Sequence, residues 1–478
     1  MTGRNAVIVG GGLAGITAAI ALREASVGVT LLETRPWLGG ATCSFSRRGL
    51  TIDNGQHVFL RCCTSYRELL ARLGVTGSAP VQDRFDVTVL SPGDRQARLR
   101  RAALPSPLHL TASLARYGFL SVPERLRVAR AALAMRTTDP AQQGLDGQRL
   151  GDWLSARGQD ENARRKLWDL FIVSSLNVDG DEASVPLAAT VLKTALLGSA
   201  DAADIGVPAA PLGVLHGRAA ASLLARLGAD VRLGTKAVAV ERDLRTGGFQ
   251  VAVTSGADGG SAATLSADGV ILAVPAGNAA RLAGAAGLQD AARWQQLGSS
   301  PIVNVHVLYD QRVTRLPFAA AVDSPVQWIF DKTKAAGVQK GQYLAVSLSA
   351  ADSYINVPNA ALRARFLPAL EQLFPAAARA GVTDFFVTRE RRATFRQVPG
   401  CTALRPGAMT ALPGLVLAGA WTDTGWPDTM EGAVRSGRTA AAELMHALAG
   451  QAARERAGAK LPAQQAEPAL DAAAGSLS

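Results

Sequence analysis

Gly10, Gly12 and Gly15 stand in Gly-x-Gly-x-x-Gly spacing directly after the apolar run Ala6-Val-Ile-Val9. Glu33 closes a second apolar run, Val29-Thr-Leu-Leu32, eighteen residues after Gly15. These residue types handle a dinucleotide. Gly10 permits a tight turn, Gly12 lets a pyrophosphate approach backbone N–H groups, and Gly15 lets a helix pack closely on a strand. Leu13 and Ala14 open that helix, whose N-terminal amides and dipole favour phosphate. Glu33 accepts the two hydroxyls of an adenosine ribose, and its charge repels a 2′-phosphate.

A second set of glycines extends the ligand. Leu38-Gly39-Gly40-Ala41-Thr42 lies just beyond the acid, followed by Asp53-Asn-Gly55-Gln56-His57. A nicotinamide site does not need them, whereas a long flavin dinucleotide brings backbone close to its pyrophosphate and ring a second time. Far downstream, Gly414-Leu-Val-Leu-Ala-Gly419-Ala420 leads through Trp421-Thr-Asp423-Thr-Gly-Trp426 to a helix that begins near Met430. A helix N-terminus aimed at a flavin stabilises the negative charge that develops on reduction. The spacing therefore predicts FAD, with no metal motif beside it.

The elements that position these residues are spread over the whole chain, and the pattern predicts an α/β fold. Residues 1–90 read as the first part of a Rossmann-type FAD-binding domain, 213–276 as its second and 401–450 as its third. A helical, basic segment over 91–212 and an α+β substrate domain over 277–400 interrupt it. Within the latter, strands are expected at Ile302–Tyr309, Val326–Phe330 and Tyr343–Ser349, with a helix at Leu362–Leu373. The Ala- and Gln-rich tail over 451–478 is expected to be disordered.

Taken together, the glycine fingerprint, Glu33, Leu38-Gly-Gly40, Asp53-x-Gly55 and Ala418-Gly419…Glu431-Gly-Ala433…Ser436-Gly437 resemble the flavin amine oxidase and phytoene desaturase superfamily. Asp53-Asn-Gly-Gln-His-Val-Phe-Leu60 and Trp421-Thr-Asp-Thr-Gly-Trp-Pro427 are similar to its squalene-associated branch, the hydroxysqualene dehydroxylases. The resemblance is strongest over roughly the first 75 residues and the last third. It implies a GR2-like FAD domain in which backbone near Ala237 meets the adenine. It also places His57 on the reactive side of the flavin, as a proton donor or polar contact, with Asp423 and Asp428 competing for the donor role and Glu431 capping the last helix or orienting its loop. The substrate implied is a long allylic isoprenoid alcohol that loses water and gains hydride. Two positions depart from the superfamily. Ala41 stands where an arginine usually follows the Gly-Gly pair, and Ala420 where an acid usually follows Ala-Gly. An isoprenoid desaturase running hydride the other way, an amine oxidase with Trp421 and Trp426 as an aromatic cage, and a flavin-free lipid-binding protein are the alternatives.

Charge and composition bear on location. The net charge of +11 is concentrated between Asp94 and Arg136, where nine arginines face Asp94 and Glu124. Leucines interleave with them, and Pro105, Pro107 and Pro123 are expected to divide the stretch into short helices. Such a segment suits peripheral contact with an anionic membrane; no recognition motif for nucleic acid accompanies it. The four cysteines, Cys43, Cys62, Cys63 and Cys401, form no paired framework, and with the fingerprint strand starting at Ala6 no signal peptide is expected. A cytoplasmic enzyme, peripheral on the cytoplasmic membrane, is the expectation.

Overall fold

Alternation along the first strand explains the layering of the cofactor half. The computed structural model describes residues 3–256 and 260–458. In Asn5–Val9, Ala6 and Ile8 point to one face and Val7 and Val9 to the other, and all four are buried. The strand is therefore central in a sheet covered on both sides. That sheet is five-stranded and parallel, in the order Leu415–Leu417, Gly269–Leu272, Asn5–Val9, Gly28–Glu33, Asp230–Leu233. Ala6 and Ile8 pack with the first helix, Leu13–Glu24, and the last helix, Met430–Gly458. Val7 and Val9 pack with an antiparallel three-stranded sheet over Thr235–Arg242, Phe249–Ser255 and Ala262–Ala267. A Cβ on Gly437 would lie 2.3 Å from Ala14 O, so this glycine lets the two helices touch backbone to backbone.

A seven-stranded sheet forms the substrate half, in the order Val382–Thr394, Ser300–Tyr309, Gln342–Leu348, Trp328–Asp331, Phe318–Ala321, Asp86–Ser91, Arg95–Arg100. The predicted strands and the helix, here Asn359–Leu373, lie within a few residues of expectation. Two boundaries differ. Asp86–Ser91 belongs to the substrate sheet, although residues 1–90 were assigned to the FAD domain, and Arg95–Arg100 is its hairpin partner rather than part of a helix. In Arg95–Arg100 the inward positions are Ala97 and Leu99 while Arg98 and Arg100 point out, a two-residue period hidden by the arginine count. Those arginines are spent locally: Arg98 and Arg100 pair with Asp86, and Arg101 with Asp204. Pro123 starts a helix instead of breaking one. It lies in the first turn of Val122–Thr137, capped by the Ser121–Glu124 box. The last helix runs on through Gly458, beyond the boundary at 450; the remainder of the expected tail lies outside the described residues. Among the described residues no helix is long and apolar enough to cross a membrane.

Candidate active site

Three glycine-rich loops meet at the carboxyl ends of the parallel strands. Gly10 adopts φ +111°, and a Cβ there would fall 2.2 Å from Ala273 O. A Cβ on Gly15 would fall 1.9 Å from Gly10 O, so the helix can start only where it does because both residues are glycine. Leu13 and Ala14 are buried in its first turn, which contains no acid and has no side-chain cap. Gly39 and Gly40 also have positive φ, and their loop lies directly on the first one. Gly39 N donates to Gly11 O at 2.8 Å, and a Cβ on Gly40 would stand 2.8 Å from Gly12 Cα. Gly12 itself has only Gly40 Cα, 3.8 Å away, near its missing side chain.

Glu33 ties this loop pair together. One carboxylate oxygen accepts from Gly11 N and the other from Arg35 N, each at 2.8 Å, and each keeps a second lone pair. Arg35 reaches back so that its guanidinium donates to Gly40 O at 3.1 Å, bringing a positive charge to the loop where Ala41 supplies none. Thr42 is occupied with the turn, donating its hydroxyl to Gly39 O. Ala237 lies at a bulge in the antiparallel sheet that covers the strands.

Asp53 and Asn54 connect the glycine loops to the substrate sheet. Asp53 accepts from Ser44 Oγ and Leu212 N and forms a buried ion pair, at 3.1 Å, with Lys332 Nζ. Asn54 donates to Ala41 O and accepts from Cys43 N, while its carbonyl accepts from Asn304 Nδ2 and Thr388 Oγ1. Because the single Thr388 hydroxyl proton goes to Asn54 O, His306 Nε2 donates to Thr388, and His306 Nδ1 accepts from Tyr343 OH at 2.7 Å. Gly55 lies under the ring of His57, whose Nε2 would be 3.2 Å from a Cβ. Gln56 Nε2 is buried and has no hydrogen-bond partner. Burial pushes the His57 imidazole down to about 4; the Asp53 charge opposes this and the Lys332 ammonium adds to it. At neutral pH His57 is therefore an uncharged polar contact.

The third loop is held by a residue with no sequence signature. Arg405 is buried, and its guanidinium donates to Ala420 O, Thr422 O, Thr424 Oγ1 and Trp426 O. Gly419, at φ +140°, donates to Ser436 Oγ of the last helix, and Met430 opens that helix. Glu431 neither caps its own helix nor turns to the loop. It accepts from Ser65 N and Tyr66 N, so it caps the helix Thr64–Arg72, and pairs with Arg435. Trp421 donates to Val274 O and packs on Trp294, while Trp426 stacks on Arg435; the two indoles are committed to separate partners. Asp423 is exposed, and accepts from Gly425 N. Asp428 accepts from Phe395 N at 2.8 Å. Burial pushes its carboxyl up to about 6, against the pull of that N–H and of the Arg405 charge.

An amide-lined glycine clasp, an uncapped helix N-terminus, the unbonded Gln56 amide and a second helix opening at Met430 fit a flavin dinucleotide. The chain matches the flavin containing amine oxidoreductase family over residues 13–445. It belongs to that family. It is an FAD-dependent oxidoreductase. A hydroxysqualene dehydroxylase from Rhodopseudomonas palustris is 30% identical over 91% of this chain and 96% of that protein. A chloroplastic/chromoplastic zeta-carotene desaturase from Zea mays is 24% identical over 91% and 82%. Among solved structures, putrescine oxidase bound to putrescine superposes with a TM-score of 0.69 at 18% identity, covering 93% of this chain and 99% of that one. That likeness is one of fold.

Proposed function

We propose that this family member is a hydroxysqualene dehydroxylase, converting an allylic isoprenoid alcohol to squalene in squalene and hopanoid synthesis. Bound and reduced, FAD supplies the hydride. The chain must supply the proton that lets the hydroxyl leave as water, since hydroxide is a poor leaving group. Asp428 is the observation that carries this reading. It lies two residues before the helix Met430–Gly458, and burial, by raising its carboxyl to about 6, keeps about a tenth of it protonated at neutral pH, far more than an ordinary aspartate retains. Asp428 donates its proton to the hydroxyl oxygen, the C–O bond breaks, and hydride reaches the resulting allylic carbon. The atoms balance as alcohol plus proton plus hydride giving hydrocarbon plus water. Asp423 is too exposed for this role. His57, neutral and half-buried, instead offers an N–H or a lone pair to orient the hydroxyl. The 30% likeness to a hydroxysqualene dehydroxylase over nearly both full lengths supports the substrate class. An amine oxidase cage finds no support in Trp421 and Trp426, which pack elsewhere. The same reading puts the enzyme in the cytoplasm, in peripheral contact with the membrane that dissolves its substrate.

The test is anaerobic: reduce the flavin with dithionite, add hydroxysqualene, and follow the flavin spectrum together with the lipid by mass spectrometry. Flavin reoxidation with a stoichiometric gain of squalene is expected. Oxidised enzyme bleached by squalene or phytoene, with no reoxidation by the alcohol, would make it a desaturase instead.

A further inference from the structure

The helix Val122–Thr137 is apolar on two opposite faces. Its inner face is ordinary, with Glu124, Val128, Ala131 and Met135 buried. On the outside, Val122, Leu126 and Leu133 are 63%, 68% and 54% exposed. At about 100° per residue these three fall within about 40° of one another, diametrically opposite the buried row. A surface helix normally presents polar residues there, and single exposed leucines are common, but an aligned row is not. Leu104 and Leu108, on the turns leading into this region, are exposed as well.

Arginines flank the row. Arg130 and Arg136 lie about 60° to either side of it. Both are exposed, and among the described residues neither forms an ion pair or side-chain hydrogen bond. Of the other arginines, Arg116 is likewise exposed without a side-chain partner among the described residues, Arg95 lies over the Phe119 ring, and five are hydrogen-bonded or ion-paired. Arg98, Arg100 and Arg101 pair with carboxylates, Arg127 pairs with Asp160, and Arg125 donates to Leu120 O and Ala115 O. Two of the region's unpaired charges therefore sit beside the apolar row.

We propose that the outer face of Val122–Thr137 lies in the interface of an anionic lipid bilayer, with Val122, Leu126 and Leu133 among the acyl chains and Arg130 and Arg136 on lipid phosphates. An apolar row bordered by cations has this complementarity to a bilayer surface. A second copy of this chain would bring arginine against arginine at the same row. The proposal deepens the function above, resting on it only for the nature of the substrate that the membrane would deliver. It also narrows a 43-residue basic stretch to one helix face.

The full-length, FAD-loaded chain is sedimented with sucrose-loaded vesicles of phosphatidylglycerol and phosphatidylcholine, and with vesicles of phosphatidylcholine alone. Wild type is expected to pellet with the anionic vesicles and far less with the neutral ones. The double variant Leu126→Asp/Leu133→Asp should partition at least about tenfold more weakly into the anionic vesicles. Arg130→Gln/Arg136→Gln should lose the preference for anionic lipid. Both variants should keep wild-type flavin absorbance and melting temperature, because the altered side chains face solvent. Undiminished pelleting of the leucine variant would overturn the proposal. So would a wild-type dimer that the same substitutions convert to monomer in light scattering. The readout needs no turnover, so vesicle binding without squalene formation would leave this face standing while removing the proposed reaction.

Discussion

A single carboxyl at the head of the last helix sets the expected pH dependence. The usual value for Asp428 is 3.8 and burial raises it to about 6, so the proton-donating form dominates below about pH 6. Single-turnover dehydroxylation by reduced enzyme should therefore fall about tenfold per pH unit above that value. Asp428→Asn should retain FAD, lose that limb of the profile, and slow the step by roughly a hundredfold or more, as stopped-flow absorbance would report. The sign of the stability effect is fixed by the same shift. The folded carboxyl holds its proton more tightly than the unfolded one, so ionisation costs stability as pH rises from about 4 through about 6. The asparagine variant should gain melting temperature over wild type at pH 8 relative to pH 4. A different residue governs cofactor affinity. Arg35 carries to the Gly39–Gly40 loop the charge absent from position 41, and Arg35→Ala should weaken FAD binding about tenfold by flavin fluorescence titration.

Loops that touch through glycine tolerate no side chain. Gly40→Ala would combine φ +58° with a Cβ 2.8 Å from Gly12 Cα. Backbone strain alone costs about 1–2 kcal/mol, and the clasp must open further. A colourless, less stable protein is expected by absorbance and thermal melting. Lys332→Met would strand Asp53 as a buried charge and should cost roughly 3–5 kcal/mol in denaturant unfolding. These cases also mark what was legible in the sequence. The positions of the two glycine loops, of Glu33 at the end of its strand and of the opening of the last helix could be read because they depend on local backbone conformation and strand patterning, which sequence spacing encodes directly. Lys332 and Arg405 could not. A lysine closing a short strand and an arginine in a polar loop look like surface residues, and only packing from distant elements reveals their carboxylate and carbonyl partners. Glu431 was visible, but its target was not, because Ser65 and Tyr66 lie about 365 residues away. The strand Arg95–Arg100 was masked by composition, four polar residues surrounding two inward apolar ones.

Across the whole molecule, FAD should act as a tertiary staple, since the loops proposed to hold it come from the beginning and end of the chain. Melting temperature should rise with FAD concentration beyond saturation, as mass action requires for a ligand that binds only the folded state. The order of the parallel sheet adds a constraint in time. Its neighbours come from residues 5–9, 28–33, 230–233, 269–272 and 415–417. At about 5–20 residues per second of synthesis, the first two strands leave the ribosome tens of seconds before the strand Leu415–Leu417 that completes the other edge. Throughout that interval Val9 and Ile8 have no finished sheet to enter, and the helix that opens at Met430 does not yet exist. Cofactor capture is thus expected to await the completed chain, and until then the amino-terminal strands expose apolar surface that the finished sheet covers.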